Sequence, residues 1–256
     1  MFKFCLYLRE AYTFNMANKG NYVYEYPHPA VTADCVIFGY DGKDIQVLLV
    51  RRGKEKEASA TACVGMWALP GGFMDIEKDK SIAHTAAREL REETGLKLHA
   101  ADLKEVGSFS EMDRDPRERV ITIAHYALVK IAEVKGDTDA ELAEWTPLKR
   151  IPPLAFDHDA ILRKAFSRLK EKIHFEPVGF DLMPEVFTLP QLQNLYESIL
   201  EVKFDRRNFA NKMKHLGILI EVDDGSLRRG TRTPIKYRFD KENYERLKSK
   251  GFQLEF

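Results

Sequence analysis

The chain has 256 residues, 40 Lys+Arg against 40 Asp+Glu, and 44% hydrophobic residues, a globular composition longer than one domain of usual size. It excludes a disordered or fibrous protein and leaves room for two domains. Three scattered cysteines, Cys5, Cys35 and Cys63, give no disulfide framework or paired metal motif, and no apolar run nears the ~20 residues that cross a bilayer, so a soluble protein of a reducing cytoplasm is expected. Charge is unevenly spread: residues 203–250 hold 14 Lys+Arg against 7 Asp+Glu, a basic end on an acidic body, which points to a polyanion partner for that end or to a solvated surface.

Residues 1–21 read as an N-terminal arm, with Met16 a second candidate start. The runs ADCVIFGY and IQVLLVRR flank Asp41-Gly42 and predict a hairpin over 31–52. A small polar loop follows to residue 66, then Trp67-Ala68-Leu69-Pro70-Gly71-Gly72, then a helix from Ser81 to Thr94 that Gly95 stops. β-like runs at 105–108 and 120–131 and an amphipathic helix from Asp157 to about Lys172 complete an α/β domain over 22–175. Residues 176–187 hold Pro177, Gly179 and Pro184 without a sustained period and predict a linker.

Beyond it, Thr188 and Gln191 form a capping box for a helix to Leu200, and Asp205 caps a second helix ending at His215-Leu216-Gly217. Two β-like runs, 218–222 and 235–239, enclose an Arg-rich loop before a last helix over 240–250. Helix, turn, helix and a two-stranded wing is the order of a winged helix-turn-helix, here over 188–256.

The most specific chemistry lies in Arg88-Glu89-Leu90-Arg91-Glu92-Glu93-Thr94-Gly95-Leu96. Helical spacing puts Glu89, Glu92 and Glu93 on one face, beside the apolar stripe of Ile82, Ala83, Ala86, Ala87 and Leu90. Carboxylates held that close repel unless a cation sits among them, and an all-oxygen set selects a hard divalent ion. A helix this rich in Arg and Glu also reads as a solvated surface of i,i+4 pairs. What decides is the order of residues: Gly71-Gly72 followed by Arg-Glu-Leu-x-Glu-Glu-x-Gly-Leu closely resembles the Nudix box of the Nudix hydrolase superfamily.

The resemblance implies an α/β/α sandwich with a mixed sheet, with Glu89, Glu92, Glu93 and the Gly71 carbonyl holding Mg²⁺ or Mn²⁺ against a diphosphate. It also implies that Arg88 orients Glu89, and that Glu89 or Glu93 activates water. The box departs from the family pattern in being two residues longer between Gly72 and Arg88. Lys80 stands where a Glu belongs, with Glu77 or Asp79 the candidate replacements, and a Lys beside a cation site opposes metal binding. Downstream, the segment 113–120 and Leu154-Ala155-Phe156-Asp157-His158 resemble parts of ADP-ribose pyrophosphatases and their regulator relatives. There Arg114, Arg117 and Arg119 form either a phosphate- or base-binding set or a surface turn of local ion pairs. Asp157 and His158 read as an N-cap and its neighbour.

In the basic module, Phe209, Ala210, Met213 and Leu216 share one face of the second helix. Arg207, Asn208, Asn211, Lys214 and His215 share the other, which suits base edges in a major groove, while Arg228, Arg229 and Arg232 suit phosphates from the wing. Arg206 projects towards the apolar edge. The alternative is a structural or dimerisation domain. From about residue 22 to 256 the chain resembles the Nudix-related transcriptional regulators. That implies a homodimer on a palindromic operator in double-stranded DNA, with a Nudix domain sensing ADP-ribose or a sugar-derived effector in control of NAD metabolism or sugar use. A hydrolase with an accessory C-terminal domain is the second reading.

Overall fold

The computed structural model describes residues 26–53, 63–134, 140–222 and 234–251. The expected N-terminal arm and the wing residues Arg228, Arg229 and Arg232 lie outside the described residues.

Strand alternation builds the larger domain. In β1 (Ala30–Tyr40), Ala33, Cys35 and Ile37 join one apolar cluster while Val36 and Phe38 join another, all fully buried, as a period of two requires of a strand covered on both faces. β1 turns at Asp41-Gly42 and pairs antiparallel with β2 (Ile45–Arg52), as predicted. The Asp41 carboxylate accepts from the Lys43 and Asp44 amides at 2.8 Å. On its other side β1 runs parallel to β6 (Val120–Leu128), from Ala30 opposite Val120 to Phe38 opposite Leu128.

With β3 (Trp67–Ala68), β4 (Gly71–Phe73), β5 (Lys104–Phe109) and β7 (Ala140–Pro147), the sheet has seven strands. Its path is β3-β2-β1-β6-β5, with β4 also paired to β1 and β7 to β2. Helix α1 (Ile82–Thr94) lays Ala86 and Leu90 on Ala33, Cys35, Ile37 and Leu48. Helix α2 (His158–Lys172) lays Ile161, Leu162, Ala165 and Leu169 on the opposite face, with Val36, Phe38, Val47 and Leu49. This is the expected α/β/α sandwich around a mixed sheet.

The segment expected to be a linker is folded, and the expectation is corrected. It contains α3 (Gly179–Leu182) and β8 (Phe187–Thr188), with Val178, Leu182, Met183 and Phe187 buried. Phe180 stacks on Phe239 with centroids 4.2 Å apart, and Phe187 meets the same ring at 4.7 Å. A four-residue helix is too short to show a helical period, so patterning cannot reveal it. Then come α4 (Leu189–Leu200), α5 (Arg206–His215), β9 (Leu219–Val222), β10 (Lys236–Phe239) and α6 (Lys241–Lys248), with the small sheet ordered β8-β10-β9. Thr188 pairs with Lys236 in that sheet and also caps α4, its side chain accepting from the Gln191 amide while Gln191 Oε1 accepts from the Thr188 amide. One apolar cluster runs from Leu169 and Ile173 of the Nudix-like part through Val178 to Leu192, Leu195, Tyr196, Phe209 and Met213, so the two parts share a core.

Candidate functional site

The carboxylate helix is fixed at both ends. Ser81 caps it by accepting from the His84 amide, and Gly95 ends it at φ 74°, donating to the Arg91 carbonyl at 2.9 Å. Across from it, the paired glycines of β4 let the strand approach. A Cβ on Gly71 would stand 2.3 Å from the Ala33 carbonyl oxygen, which cannot give way, and one on Gly72 would stand 2.6 Å from the Glu89 carboxyl carbon and displace that side chain. Gly71 donates its amide to Glu93 Oε2 at 2.8 Å.

Arg88 bonds Glu89, the residue it is expected to orient, and it holds more than that. Its Nη1 reaches Glu89 Oε1 at 2.6 Å and Glu92 Oε2 at 3.1 Å, and its Nη2 donates to the Phe73 carbonyl at 3.0 Å. Its Nε and Nη2 fork onto Asp79 at 3.0 and 2.8 Å. Asp79 is thus the replacement that meets Arg88. Glu77 is exposed, and so is Lys80. The Arg88 guanidinium holds the Asp79 carboxyl down to about 2.

Burial pushes the Glu93 carboxyl up to about 8, with the Glu89 charge adding to it against the Gly71 hydrogen bond, and burial also raises Glu89. Among the described residues no group of three or more His, Cys, Asp or Glu side chains is gathered around a common point, and Arg88 holds Glu89 and Glu92. The remaining features suit a cation: an all-oxygen donor set, a glycine cradle that a Cβ would fill, and two half-buried carboxylates whose charges oppose each other.

Beside the box lies a buried polar cluster that sequence reading placed only in part. Arg114 forks onto Asp157 at 3.0 and 2.8 Å and lies 3.5 Å from Asp34 Oδ2. The guanidinium is buried and faces inward, so the expected ligand contact by Arg114 is corrected to an internal ion pair. Asp157 occupies the N-cap position of α2 but makes no capping bond, since Arg114 takes its carboxylate. His158 is buried, its Nδ1 accepting from the Leu69 amide at 2.9 Å and its Nε2 3.6 Å from Asp34 Oδ1. Burial holds its pKa below the ordinary value. Arg117 is clamped to Asp115, and Arg119 is exposed before β6. Asp34 was missed; its signal was an acid inside the apolar run Ala30–Tyr40.

The second helix of the basic module is capped by Asp205, which accepts from the Asn208 amide at 2.8 Å. Phe209 and Met213 are buried, while Arg207, Asn208, Asn211, Lys214 and His215 are exposed together, as the periodicity predicted; Arg206 is exposed as well. The turn before this helix is set by Glu197, whose carboxylate accepts from Gln193 Nε2 at 2.8 Å, the Phe204 amide at 3.0 Å and Lys203 Nζ at 2.5 Å, holding it down to about 2. Lys236 and Arg238 are exposed on either side of buried Tyr237, a strand alternation that could have marked them from sequence.

A mixed sheet between two helices, with paired glycines facing a Glu-rich helix and a winged helix-turn-helix behind, defines a Nudix-fold protein with a DNA-binding type of module. The NUDIX domain family matches residues 28–169 and the NrtR DNA-binding winged helix domain family residues 179–239. The chain belongs to the Nudix family and carries an NrtR-type winged helix. It is 35% identical over 224 residues, 86% of either chain, to the ADPR responsive transcriptional repressor NtrR of Acinetobacter baylyi. Shewanella oneidensis NrtR in complex with a 27mer DNA aligns at 29% identity and TM-score 0.63, over 82% of this chain and 93% of that one. The NUDIX domain of the same Shewanella protein complexed with ADP ribose aligns at 29% identity and TM-score 0.52, over 58% and 94%.

Proposed function

We propose that the chain is an ADP-ribose-responsive transcriptional repressor. The Nudix domain takes the effector, and the winged helix grips operator DNA, with Arg207, Asn208, Asn211, Lys214 and His215 in the major groove and Arg228, Arg229 and Arg232 on phosphates. The observation that carries this reading is the exposed cationic and amide face of α5, in a chain that shares 86% of its length with an ADPR responsive repressor. A homodimer on a palindromic site in the cytoplasm, serving NAD metabolism, completes the proposal, and a sugar-derived compound is the alternative effector. The functional division falls at the end of α2, with residues 22–175 sensing and 176–256 binding DNA.

Mg²⁺ or Mn²⁺ would be held by Glu89, Glu93 and the Gly71 carbonyl with Glu92, and when bound it neutralises charge on a diphosphate. Arg88 anchors that set through Asp79. The second reading, a hydrolase with an accessory domain, is favoured by one observation: Glu93 is held half-buried on the Gly71 amide, where it can accept a proton.

Selection from random duplexes with the full chain, with and without ADP-ribose, tests the proposal. The expected result is one enriched motif whose binding ADP-ribose alters and salt weakens. No enriched motif, together with Mg²⁺-dependent cleavage of ADP-ribose, would establish the hydrolase instead.

A further inference from the structure

Next to the box stands an alternating ladder of guanidinium groups and aromatic rings. Arg52, the last residue of β2, lies over the Phe156 ring at 4.9 Å from its centroid, and Arg117 lies 5.3 Å from the centroids of both Phe156 and Phe73. The ladder therefore ties β2, β4, the loop before β6 and the entry to α2. Its outer end, Phe73, directly follows Gly72, and the Phe73 carbonyl accepts from Arg88 at 3.0 Å.

Three features mark the ladder as prepared for a ligand. Arg117 is clamped by Asp115, Nε to Oδ1 at 3.0 Å and Nη2 to Oδ2 at 2.8 Å, so its orientation is fixed in advance. Phe156 is held at φ 53°, a left-handed conformation that is costly for an aromatic residue and concentrates at ligand sites. Phe73 keeps 39% of its surface in water although it adjoins charged groups on its backbone side.

We infer that Phe73 is the stacking platform for the nucleobase of the effector, with Arg117 as the positioning residue that holds the ring. This rests on the diphosphate reading of the box. Gly72, which faces the Glu89 carboxylate, directly precedes Phe73, so a diphosphate bound at the box lies beside the ring, and a planar base laid on the ring gains dispersion and sheds water at little conformational cost. A bare sugar phosphate or pyrophosphate has nothing to lay on the ring, so Phe73 separates these ligands.

Calorimetric titration of the full chain in Mg²⁺ with ADP-ribose and with inorganic pyrophosphate tests this. Phe73→Ala should weaken ADP-ribose about tenfold or more, the order that base–aromatic stacking supplies, and leave pyrophosphate unchanged. Phe73→Trp should restore ADP-ribose binding. Arg117→Ala should weaken ADP-ribose alone, and it should add little once Phe73 is Ala, because it acts through that ring. Equal losses for both ligands would make Phe73 a mere support of the box and overturn the inference, as would an unchanged ADP-ribose affinity in Phe73→Ala. Wild-type protein that binds pyrophosphate but ignores ADP-ribose would overturn the effector reading, and this inference with it.

Discussion

Helices α1 and α5 are built alike and used in opposite ways. Both are amphipathic, both begin on a side-chain cap, and both carry charges alongside a buried stripe. In α1 one guanidinium gathers the charges inward, with Arg88 serving Asp79, Glu89 and Glu92 at once, whereas in α5 the Arg207, Asn211 and Lys214 side chains are exposed. Charges bound to one another cost stability when removed, while charges left to solvent cost almost none and remain available to phosphate and base edges.

The comparison is tested most severely at Arg88. Arg88→Ala leaves Asp79, Glu89 and Glu92 as unpaired neighbours, and it should lower unfolding free energy by about 3 kcal/mol, the lower end for breaking a buried pair; thermal or urea denaturation measures it. A loss below about 0.5 kcal/mol would remove the contrast with α5. At the other pole, Arg207→Ala should leave the melting temperature unchanged and cost about 1–3 kcal/mol of operator binding, with relaxed preference at one base pair; fluorescence anisotropy on matched and mismatched duplexes reads both.

A smaller effect separates the two helices by pH. The Glu93 carboxyl titrates at about 8 in the folded chain because burial disfavours its charge. A folded-state value above the unfolded one contributes stability that is fully present below the unfolded value, near 4.5, and is lost as pH rises through about 8. The melting temperature should therefore fall between pH 5 and 8, and Glu93→Gln should flatten that fall by a few degrees. Mg²⁺ should oppose the fall in the parent and not in Glu93→Gln. The smallest difference concerns the caps: Ser81→Ala and Asp205→Ala should each cost about 1 kcal/mol, because a cap serves the backbone whatever the helix does.

What the sequence reveals follows the range of the interaction. The Asp41-Gly42 hairpin, the Ser81 and Gly95 ends of α1, the Thr188 capping box and the two faces of α5 all rest on residues a few positions apart, and each was read correctly. Strand β7 was missed because Ala140–Pro147 has no clean alternation and is specified by its pairing with β2. Arg114, Asp157, His158 and Asp34 come from three distant stretches, so Asp157 looked like an ordinary cap until Arg114 took its carboxylate. Glu89, Glu92 and Glu93 were legible as one helical face, but not the competition for them, since Asp79 and Phe73 join Arg88 from outside the helix.

Thr188 belongs to two structures at once. It is a rung of the wing sheet opposite Lys236 and the first anchor of α4. Because one residue closes both, the wing strand β10 cannot tilt without carrying the start of α4 with it, and α4 is packed into the same apolar cluster as α2. The module therefore behaves as a lever rather than a hand. Among the described residues Thr188 ties strand β10 to the start of α4, so a shift at the packed end of α4 is passed to β10.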